Sequence, residues 1–221
     1  MSAPAPLEER AALALQLRRA GVRSVAVMRA FECVPRERFA PHRFHDLANR
    51  DIALPIGCGQ TMPAPADLGR RLEILGVEAG QRVLEIGSGS GYATAILARI
   101  AKEVVSIERY QSLATEAATR LTQFGVANAR VVCADGLAAP ASLGEFDRIV
   151  LHVAVADEPR ALYERLASGG TIVFGRRQAR AGRGATRLVR VQRSAAGGLF
   201  AEIDRGSCRL PQAVAGPAKA L

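Results

Sequence analysis

The sequence lacks the segments and the cysteine spacing that would assign it to several common functional classes. Its N-terminal part contains Glu8 and Glu9 and no unbroken apolar run, so we expect neither a secretory signal nor a membrane span, and a cytoplasmic location. The paired spacing of a zinc site or a redox dithiol is also missing, which predicts reduced, structural thiols and no bound metal. The cysteines are far apart in sequence: Cys33, Cys58, Cys133 and Cys208.

A glycine-rich stretch, Val83–Tyr92, lacks the marks of two common nucleotide sites. No Gly-Lys-Ser or Gly-Lys-Thr follows its glycines, so the spacing is not that of a phosphate-binding P-loop. Tyr92 occupies the place of the third glycine in the dinucleotide fingerprint, which disfavours a dinucleotide. The stretch therefore predicts an anionic, nucleotide-like ligand of another kind.

What the stretch does contain is a short apolar run that stops at alternating glycines, where a helical pattern begins. This order predicts a strand, a tight turn and a helix whose partly positive first turn favours negative charge. Gly87, Gly89 and Gly91, with Ser88 after the first of them, leave little side chain between the backbone and a ligand. Glu85 places a carboxylate at the carboxyl edge of the strand, where it can face a cation or accept from loop amides. A ligand that carries both a carboxylate and an ammonium group, such as S-adenosylmethionine, suits this arrangement.

Strands alternate with helices along the middle of the chain, which indicates an α/β fold with a doubly wound, mostly parallel sheet. We expect a single domain with a helical preface and a proline-rich loop (1–78), a core (79–175), an antiparallel edge hairpin (176–212) and a loose tail (213–221). One helix is expected over 158–167 and the hairpin turn over 195–198. The strands are expected at 83–86, 103–108, 129–134, 146–153, 171–174, 188–192 and 199–203.

Acidic residues stand at the ends of three successive predicted strands. Glu108 follows the glycine turn by about the 20 residues at which such folds place the carboxylate that holds ribose hydroxyls. Asp135, followed by Gly136, ends the next strand, and His152 ends the fourth. Because ligands lie outside the carboxyl ends of parallel strands, Glu85, Glu108 and Asp135 can hold the amino-acid part, the ribose diol and the adenine amine of one nucleoside.

Basic residues exceed acidic ones, giving a formal net charge of +9, and most of them are arginines. Seven arginines lie between Arg176 and Arg193 with no acid among them. Such a segment is typical either of a nucleic-acid surface or of a solvated edge hairpin. We favour the hairpin, because the segment has no interleaved aromatic residues on which bases can stack.

Four motifs follow one another along the chain: Val34–Phe39 (VPRERF), Leu54–Gly57 (LPIG), Gly59–Thr61 (GQT) and Leu84–Tyr92 (LEIGSGSGY). In this series the chain resembles the protein-L-isoaspartate O-methyltransferase family, whose members are S-adenosylmethionine enzymes with a seven-stranded, Rossmann-like sheet. The resemblance implies that the glycine loop and Glu85 surround the methionine part of the cofactor, that Glu108 binds ribose and that Asp135 faces adenine. It also implies methylation of the side carboxylate of isomerised aspartyl residues in damaged proteins or peptides, by an enzyme that we expect to be a monomer.

The acceptor side of the chain departs from the family pattern. After Gly-Gln-Thr, Pro63 stands at the family's serine position and removes both a hydroxyl and an amide donor. Asp67 adds a negative charge near the place where a carboxylate should dock, and His152 replaces a small residue. Thr61 is either a substrate contact or a turn-capping hydroxyl.

His152 has two interpretations. It is either a packed strand-end histidine or a proton acceptor, which a hydroxyl or amine substrate would need and an aspartyl carboxylate would not. Two alternatives to isoaspartyl methylation therefore stay open. One is a relative that methylates RNA or a small molecule, and the other is a non-catalytic protein that binds S-adenosylmethionine.

Overall fold

A computed structural model describes residues 7–178, 186–195, 200–216 and 218. The α-helices in this part of the chain are α1 (Leu7–Arg19), α2 (Val25–Cys33), α3 (Pro65–Leu75), α4 (Tyr92–Ala98), α5 (Gln111–Gln123) and α6 (Arg160–Tyr163). The strands are β1 (Leu54–Pro55), β2 (Thr61–Met62), β3 (Arg82–Ile86), β4 (Glu103–Glu108), β5 (Ala129–Cys133), β6 (Phe146–Val155), β7 (Leu166–Arg177), β8 (Thr186–Arg193) and β9 (Phe200–Cys208). Short 3-10 turns lie at Arg36–Arg38, His42–Leu47, Gly57–Gly59 and Ala141–Leu143.

Seven of these strands form one sheet in the order β5-β4-β3-β6-β7-β8-β9. Neighbours are parallel from β5 to β7, and β8 and β9 add to the edge in antiparallel pairing. The predicted α/β fold with a mostly parallel sheet and an antiparallel edge is therefore confirmed. The direction of strand succession changes between β3 and β6, and such a switch point opens a crevice at the carboxyl ends of the strands. β1 and β2 pair separately, as a small hairpin in the proline-rich loop.

The strands are apolar on both faces because each face of the sheet borders its own core. Val83, Val104 and Val150 contribute to a core shared with the N-terminal helices and α3 to α5, whereas Leu84 and Val105 enter a second core on the opposite face. Successive side chains of a strand point to opposite faces, so alternation along one strand supplies both cores. The N-terminal helices thus pack on α3 and α4, which in turn lie against one face of the sheet.

The helix predicted over 158–167, beside the second core, is much shorter in the structure. Only Arg160–Tyr163 is α-helical, and β7 already begins at Leu166, so that prediction was too long. Leu166 is buried and pairs with Phe146, whose amide donates to the carbonyl of Arg165 over 2.8 Å. The buried residues Leu162 and Leu166 thus belong to different elements, the short helix and the sheet.

The C-terminal part of the chain returns to the sheet after β9. The amide of Ala154 donates to the carbonyl of Pro211, and the amide of Ala213 donates to the carbonyl of Ala154, both over 2.7 Å. The amide of Gly216 donates to the Asp135 carboxylate over 2.7 Å. The described residues of 213–221 are therefore bound, contrary to the predicted loose tail, because backbone groups of β6 that have no strand partner there accept and donate hydrogen bonds.

Three of the described arginines in the basic edge segment, Arg176, Arg187 and Arg193, have acidic partners on neighbouring elements. Arg176 contacts the carboxylates of Glu158 and Glu202, and Arg187 Nη2 lies 2.7 Å from Asp204 Oδ2. Residues 179–185, and with them two of the seven arginines, lie outside the described residues, as do 196–198 of the predicted turn. Within the described residues, no helix is long and apolar enough to cross a membrane.

Candidate active site

A cavity of about 920 Å³ lies at the carboxyl ends of the central strands. Its wall includes the glycine loop after β3 and the strand-end acids Glu108 and Asp135. The wall also includes the loop at 59–64, residues of α3, and residues 208–214 at and after the end of β9. The predicted cofactor and acceptor sides thus face one continuous space, as transfer between two ligands requires.

The glycine loop presents backbone, and little else, to this cavity. Gly87 and Gly89 have φ angles of +92° and +52°, a conformation that side chains disfavour. A Cβ atom added to Gly89 would also lie 3.2 Å from Ile56 Cδ1. Ser88 lines the cavity between them, and its buried hydroxyl has no hydrogen-bond partner among the described residues. The loop therefore offers a shaped floor and one polar group to a ligand.

Glu108 lies at the end of β4 and orders the loops around it. Its Oε2 accepts the amide of Gly89 over 3.0 Å, and its Oε1 accepts the amides of Arg109 and Tyr110 over 2.8 and 3.1 Å. A carboxylate has about four acceptor positions, so one position on Oε2 remains for a ligand. The side chain is buried and borders the cavity.

Asp135 lies beyond β5 and plays a similar double role. Its Oδ1 accepts the amide of Leu137 over 2.9 Å and its Oδ2 accepts the amide of Gly216 over 2.7 Å, which leaves one position on each oxygen. Gly136 also lines the cavity, and a Cβ atom there would lie 2.5 Å from Ile86 Cγ2. The close approach of this turn to β3 excludes a side chain at position 136.

Two predicted cofactor residues do not reach the cavity wall. Glu85 is fully buried; Thr94 donates to its Oε2 over 2.5 Å, and His152 Nε2 lies 3.0 Å from its Oε1. A Cβ atom on Gly91 would instead lie 3.3 Å from Ala117 Cβ, so this glycine permits α4 to approach α5. Both residues support the site from behind.

His152 is the group through which Glu85 faces the cavity. It lies where the pairing of β6 with β7 shifts register, between Val150 and Ala154, so β6 leaves its neighbour there. Its ring lines the cavity, and Nδ1 is buried with no partner in the described part of the chain. Since Nε2 contacts a carboxylate, a neutral ring with its hydrogen on Nε2 keeps the lone pair on Nδ1.

The acceptor side is held by a buried arginine whose role was not predicted, although its motif was noted. Arg36 donates from Nη2 to the carbonyls of Ile52 and Pro63, each over 2.8 Å, and from Nη1 to the carbonyl of Ala48 over 2.9 Å. Burial lowers the pKa of its guanidinium below the usual value. Arg36 therefore fixes the loop that carries Thr61 and Pro63, and both of these residues line the cavity.

Sequence reasoning also missed Arg71, on the same face of the cavity as Asp67. Its side chain is buried, and Nε and Nη2 have no hydrogen-bond partner among the described residues. Burial lowers the pKa of Arg71 to about 10. The sequence gives no signal for this burial, because an arginine within a helix is usually exposed to solvent.

Comparison with known proteins agrees with this geometry. A family model described as Protein-L-isoaspartate(D-aspartate) O-methyltransferase matches residues 8–204. The chain belongs to this methyltransferase family. It is 42% identical to Protein-L-isoaspartate O-methyltransferase 2 of Rhodopseudomonas palustris (strain HaA2), over 87% of this chain and 88% of that one. It is 39% identical to the Protein-L-isoaspartate O-methyltransferase of Bradyrhizobium sp. (strain ORS 278), over 99% of both.

Solved structures of the family share the fold. A protein-L-isoaspartate O-methyltransferase superposes with a TM-score of 0.81 at 25% identity, over 93% of this chain and 66% of that one. A Plasmodium falciparum protein described as the same enzyme, solved in complex with S-adenosyl-L-homocysteine, superposes with a TM-score of 0.77 at 19% identity, over 91% and 96%. The predicted family, enzyme class and cofactor are thereby confirmed: the protein is a methyltransferase of a family that uses S-adenosylmethionine.

The cavity of this methyltransferase fits that cofactor. Ser88 Oγ and His152 Nδ1 are buried polar atoms on the wall that have no partner in the described residues, and a bound ligand can satisfy both. Glu108 and Asp135 retain acceptor positions for hydroxyl and amine groups. Within the described ranges, no three His, Cys, Asp or Glu side chains are grouped so that they could hold a metal ion.

Proposed function

We propose that the protein transfers a methyl group from S-adenosylmethionine to the free carboxylate of isoaspartyl residues in proteins and peptides. The observation that carries this proposal is the single cavity that joins the cofactor end to the loop after Gly-Gln-Thr, in a chain of this family. Asp51 and Ile52 line the cavity and are exposed to solvent, so an extended peptide would enter beside them. We further propose that the enzyme acts as a monomer in the cytoplasm, both of which remain predictions.

Four residues of the wall would hold the cofactor. Glu108 would accept from the ribose diol with its free Oε2 position, and Asp135 from the adenine amine. Ser88 would donate its hydroxyl to the carboxylate of the amino-acid part. His152 would accept a hydrogen bond from the ammonium group through Nδ1, with Glu85 fixing the ring from behind. This role explains why a buried carboxylate faces the cavity only through an imidazole.

Methyl transfer to a carboxylate requires little proton transfer by the protein. The cofactor supplies an electrophilic methyl group on a positively charged sulfur. The acceptor carboxylate is already ionised at neutral pH, so positioning and exclusion of water are the main contributions of the protein. Arg36 supports that task by holding the carbonyl of Pro63, which fixes the loop against which the peptide would lie.

A second candidate function, methylation of a hydroxyl or amine, is favoured by the His152–Glu85 pair. A histidine oriented by a carboxylate is the arrangement of a general base, and Nδ1 is free to accept a proton. We rank it second because the ammonium of the cofactor would compete for the same lone pair.

The deciding experiment offers one peptide in two isomeric forms to the purified protein. With labelled S-adenosylmethionine, we expect base-labile methyl ester on the isoaspartyl peptide and none on the aspartyl isomer. A Glu108→Ala variant, in which the ribose acceptor is lost, serves as the low-activity control. Failure to label the isoaspartyl peptide, together with stable labelling of RNA or of a small hydroxyl or amine compound, would replace the leading proposal by the second.

A further inference from the structure

Arg71 is a buried cation on the wall of the cavity, and the described residues leave it largely unpaired. It lies on α3 with 3% of its surface exposed. Neither Nε nor Nη2 has a hydrogen-bond partner within the described ranges, and there is no ion pair to Asp67, one helical turn earlier. Three of its five N–H groups are therefore buried and unused.

Two arginines nearby show what structural arginines look like in this protein. Arg36 is equally buried, and it donates to backbone carbonyls on three sides, from Ala48 to Pro63. Arg70, the neighbour of Arg71 on the same helix, donates to the carbonyl of Ser207 over 3.1 Å and ties α3 to β9. Arg71 makes no such bond to the residues that the structure describes, so their contacts give it no role in holding the fold together.

An unpaired buried charge destabilises a protein, because the ion loses its hydration and gains no partner. The cost shows in the lowered pKa of Arg71, about 10, for which burial is the largest cause. A guanidinium in such a place is suited to a planar anion that arrives from solution, since its fork matches two carboxylate oxygens. Arg71 lines the cavity in which the proposed function places the methyl acceptor.

We propose that Arg71 is the carboxylate-binding residue of the acceptor site, where it donates to the free carboxylate of the isoaspartyl residue. The inference rests on the proposed function, which supplies a carboxylate as the acceptor. Arg71 would also compensate for the donors that are lost at Pro63, because both residues line the same cavity and a guanidinium offers more donors than a serine hydroxyl. One carboxylate oxygen bound to Arg71 leaves lone pairs on the other oxygen for attack on the methyl group.

The test uses a peptide whose only carboxylate is that of the isoaspartyl residue, with an amidated C-terminus and no other Asp or Glu. Its affinity is measured by calorimetry on protein saturated with S-adenosylhomocysteine, so that binding is read without turnover. For Arg71→Met we expect the dissociation constant and the KM to rise roughly tenfold to a hundredfold, the range of a lost charged hydrogen bond. The affinity for S-adenosylhomocysteine should not change, and the melting temperature should rise because the unpaired charge is gone.

Arg70→Met is the matched control, since it removes the same charge from the same helix outside the cavity wall. It should keep the wild-type affinity for the peptide and lower the melting temperature through its lost bonds to β9. Arg71→Lys should recover part of the affinity. If Arg71→Met does not fold, Arg71→Gln replaces it, and unfolding of both would assign Arg71 a structural role and overturn the proposal.

The two proposals fail in different ways. Wild-type methylation of the peptide with an unchanged KM and dissociation constant in folded Arg71→Met would overturn the role of Arg71 and leave the proposed function standing. Peptide binding that depends on Arg71, without any methyl transfer by the wild type, would keep the carboxylate site and overturn the proposed function.

Discussion

His152 and Glu85 share a hydrogen bond of 3.0 Å, and Thr94 donates to the other oxygen of the same carboxylate. Glu85 is fully buried, and these two side chains are the hydrogen-bond partners that the described residues give its carboxylate. Only His152 of the two donors also lines the cavity. Substituting His152 and Thr94 in turn therefore distinguishes support of the carboxylate, which both provide, from contact with the ligand, which only His152 provides.

His152→Ala and Thr94→Ala should each lower the free energy of unfolding by about 1 to 3 kcal/mol, because each leaves a buried carboxylate oxygen unpaired. Thermal or urea unfolding measures this. His152→Ala alone should also weaken binding of S-adenosylmethionine, while kcat for the isoaspartyl peptide at saturating cofactor stays near that of the wild type. A fall in kcat of several orders of magnitude would instead identify the histidine as a base.

Glu108→Gln should weaken cofactor binding by about 1 to 3 kcal/mol, since an amide replaces one of the two oxygens that serve the loop amides and the ribose. Isothermal calorimetry with S-adenosylmethionine and S-adenosylhomocysteine measures the loss. Glu103→Gln, at the other end of β4, removes a half-buried ion pair with Arg82 and controls for the charge. Equal affinities in wild type and Glu108→Gln would place the ribose elsewhere.

Gly89→Val should abolish cofactor binding and leave the circular dichroism spectrum largely intact. A side chain at φ +52° costs about 1 to 3 kcal/mol, and here it would also point at Ile56 and the ligand space. Gly76→Val carries similar strain, at φ +63°, with open space around its Cβ. This control should lose comparable stability and keep the cofactor, and an unfolded Gly89→Val beside a folded Gly76→Val would show that Gly89 serves packing.

The double substitution Pro63→Ser with Asp67→Met should raise kcat/KM for the isoaspartyl peptide and leave cofactor affinity unchanged. It adds a hydroxyl donor and removes a charge that repels the substrate. Two like charges 4 Å apart at an effective dielectric of 20 repel by about 4 kcal/mol, and solvent at the exposed Asp67 reduces this strongly. Steady-state kinetics measure the change. If the rates are unchanged by the two substitutions, the wild-type loop and α3 already supply enough donors.

The sequence predicts the part of the site that depends on local pattern. The strand at 103–108 and the acid that ends it follow from a short apolar run, and the structure has the same bounds. Glu108 and Asp135 line the cavity for that reason, as do Gly87 and Gly89. Parallel strands bring their carboxyl ends to one edge, so order along the chain was sufficient.

The parts that the sequence does not reveal depend on which distant segment becomes a neighbour. One hydrogen-bond partner of Glu85 is His152, which lies 67 residues away in the sequence and covers the Glu85 carboxylate. The apolar spacing around Leu162 and Leu166 indicates burial and does not say whether a helix or the sheet supplies it. Arg71 shows the same limit for charge, because a buried arginine and a solvated one have the same pattern in a sequence.

The position of the site at the switch between β3 and β6 has a kinetic consequence. In the seven-stranded sheet described here, β3 with β6 is the pairing that joins strands not consecutive in the chain. The other pairings close through nearer neighbours, and distant closures are entropically slower to form. The two halves of the sheet should therefore become ordered before the seam between them closes. A cofactor seated across that seam would act as a clamp, and amides of β3 and β6 should gain the largest hydrogen-exchange protection when it binds.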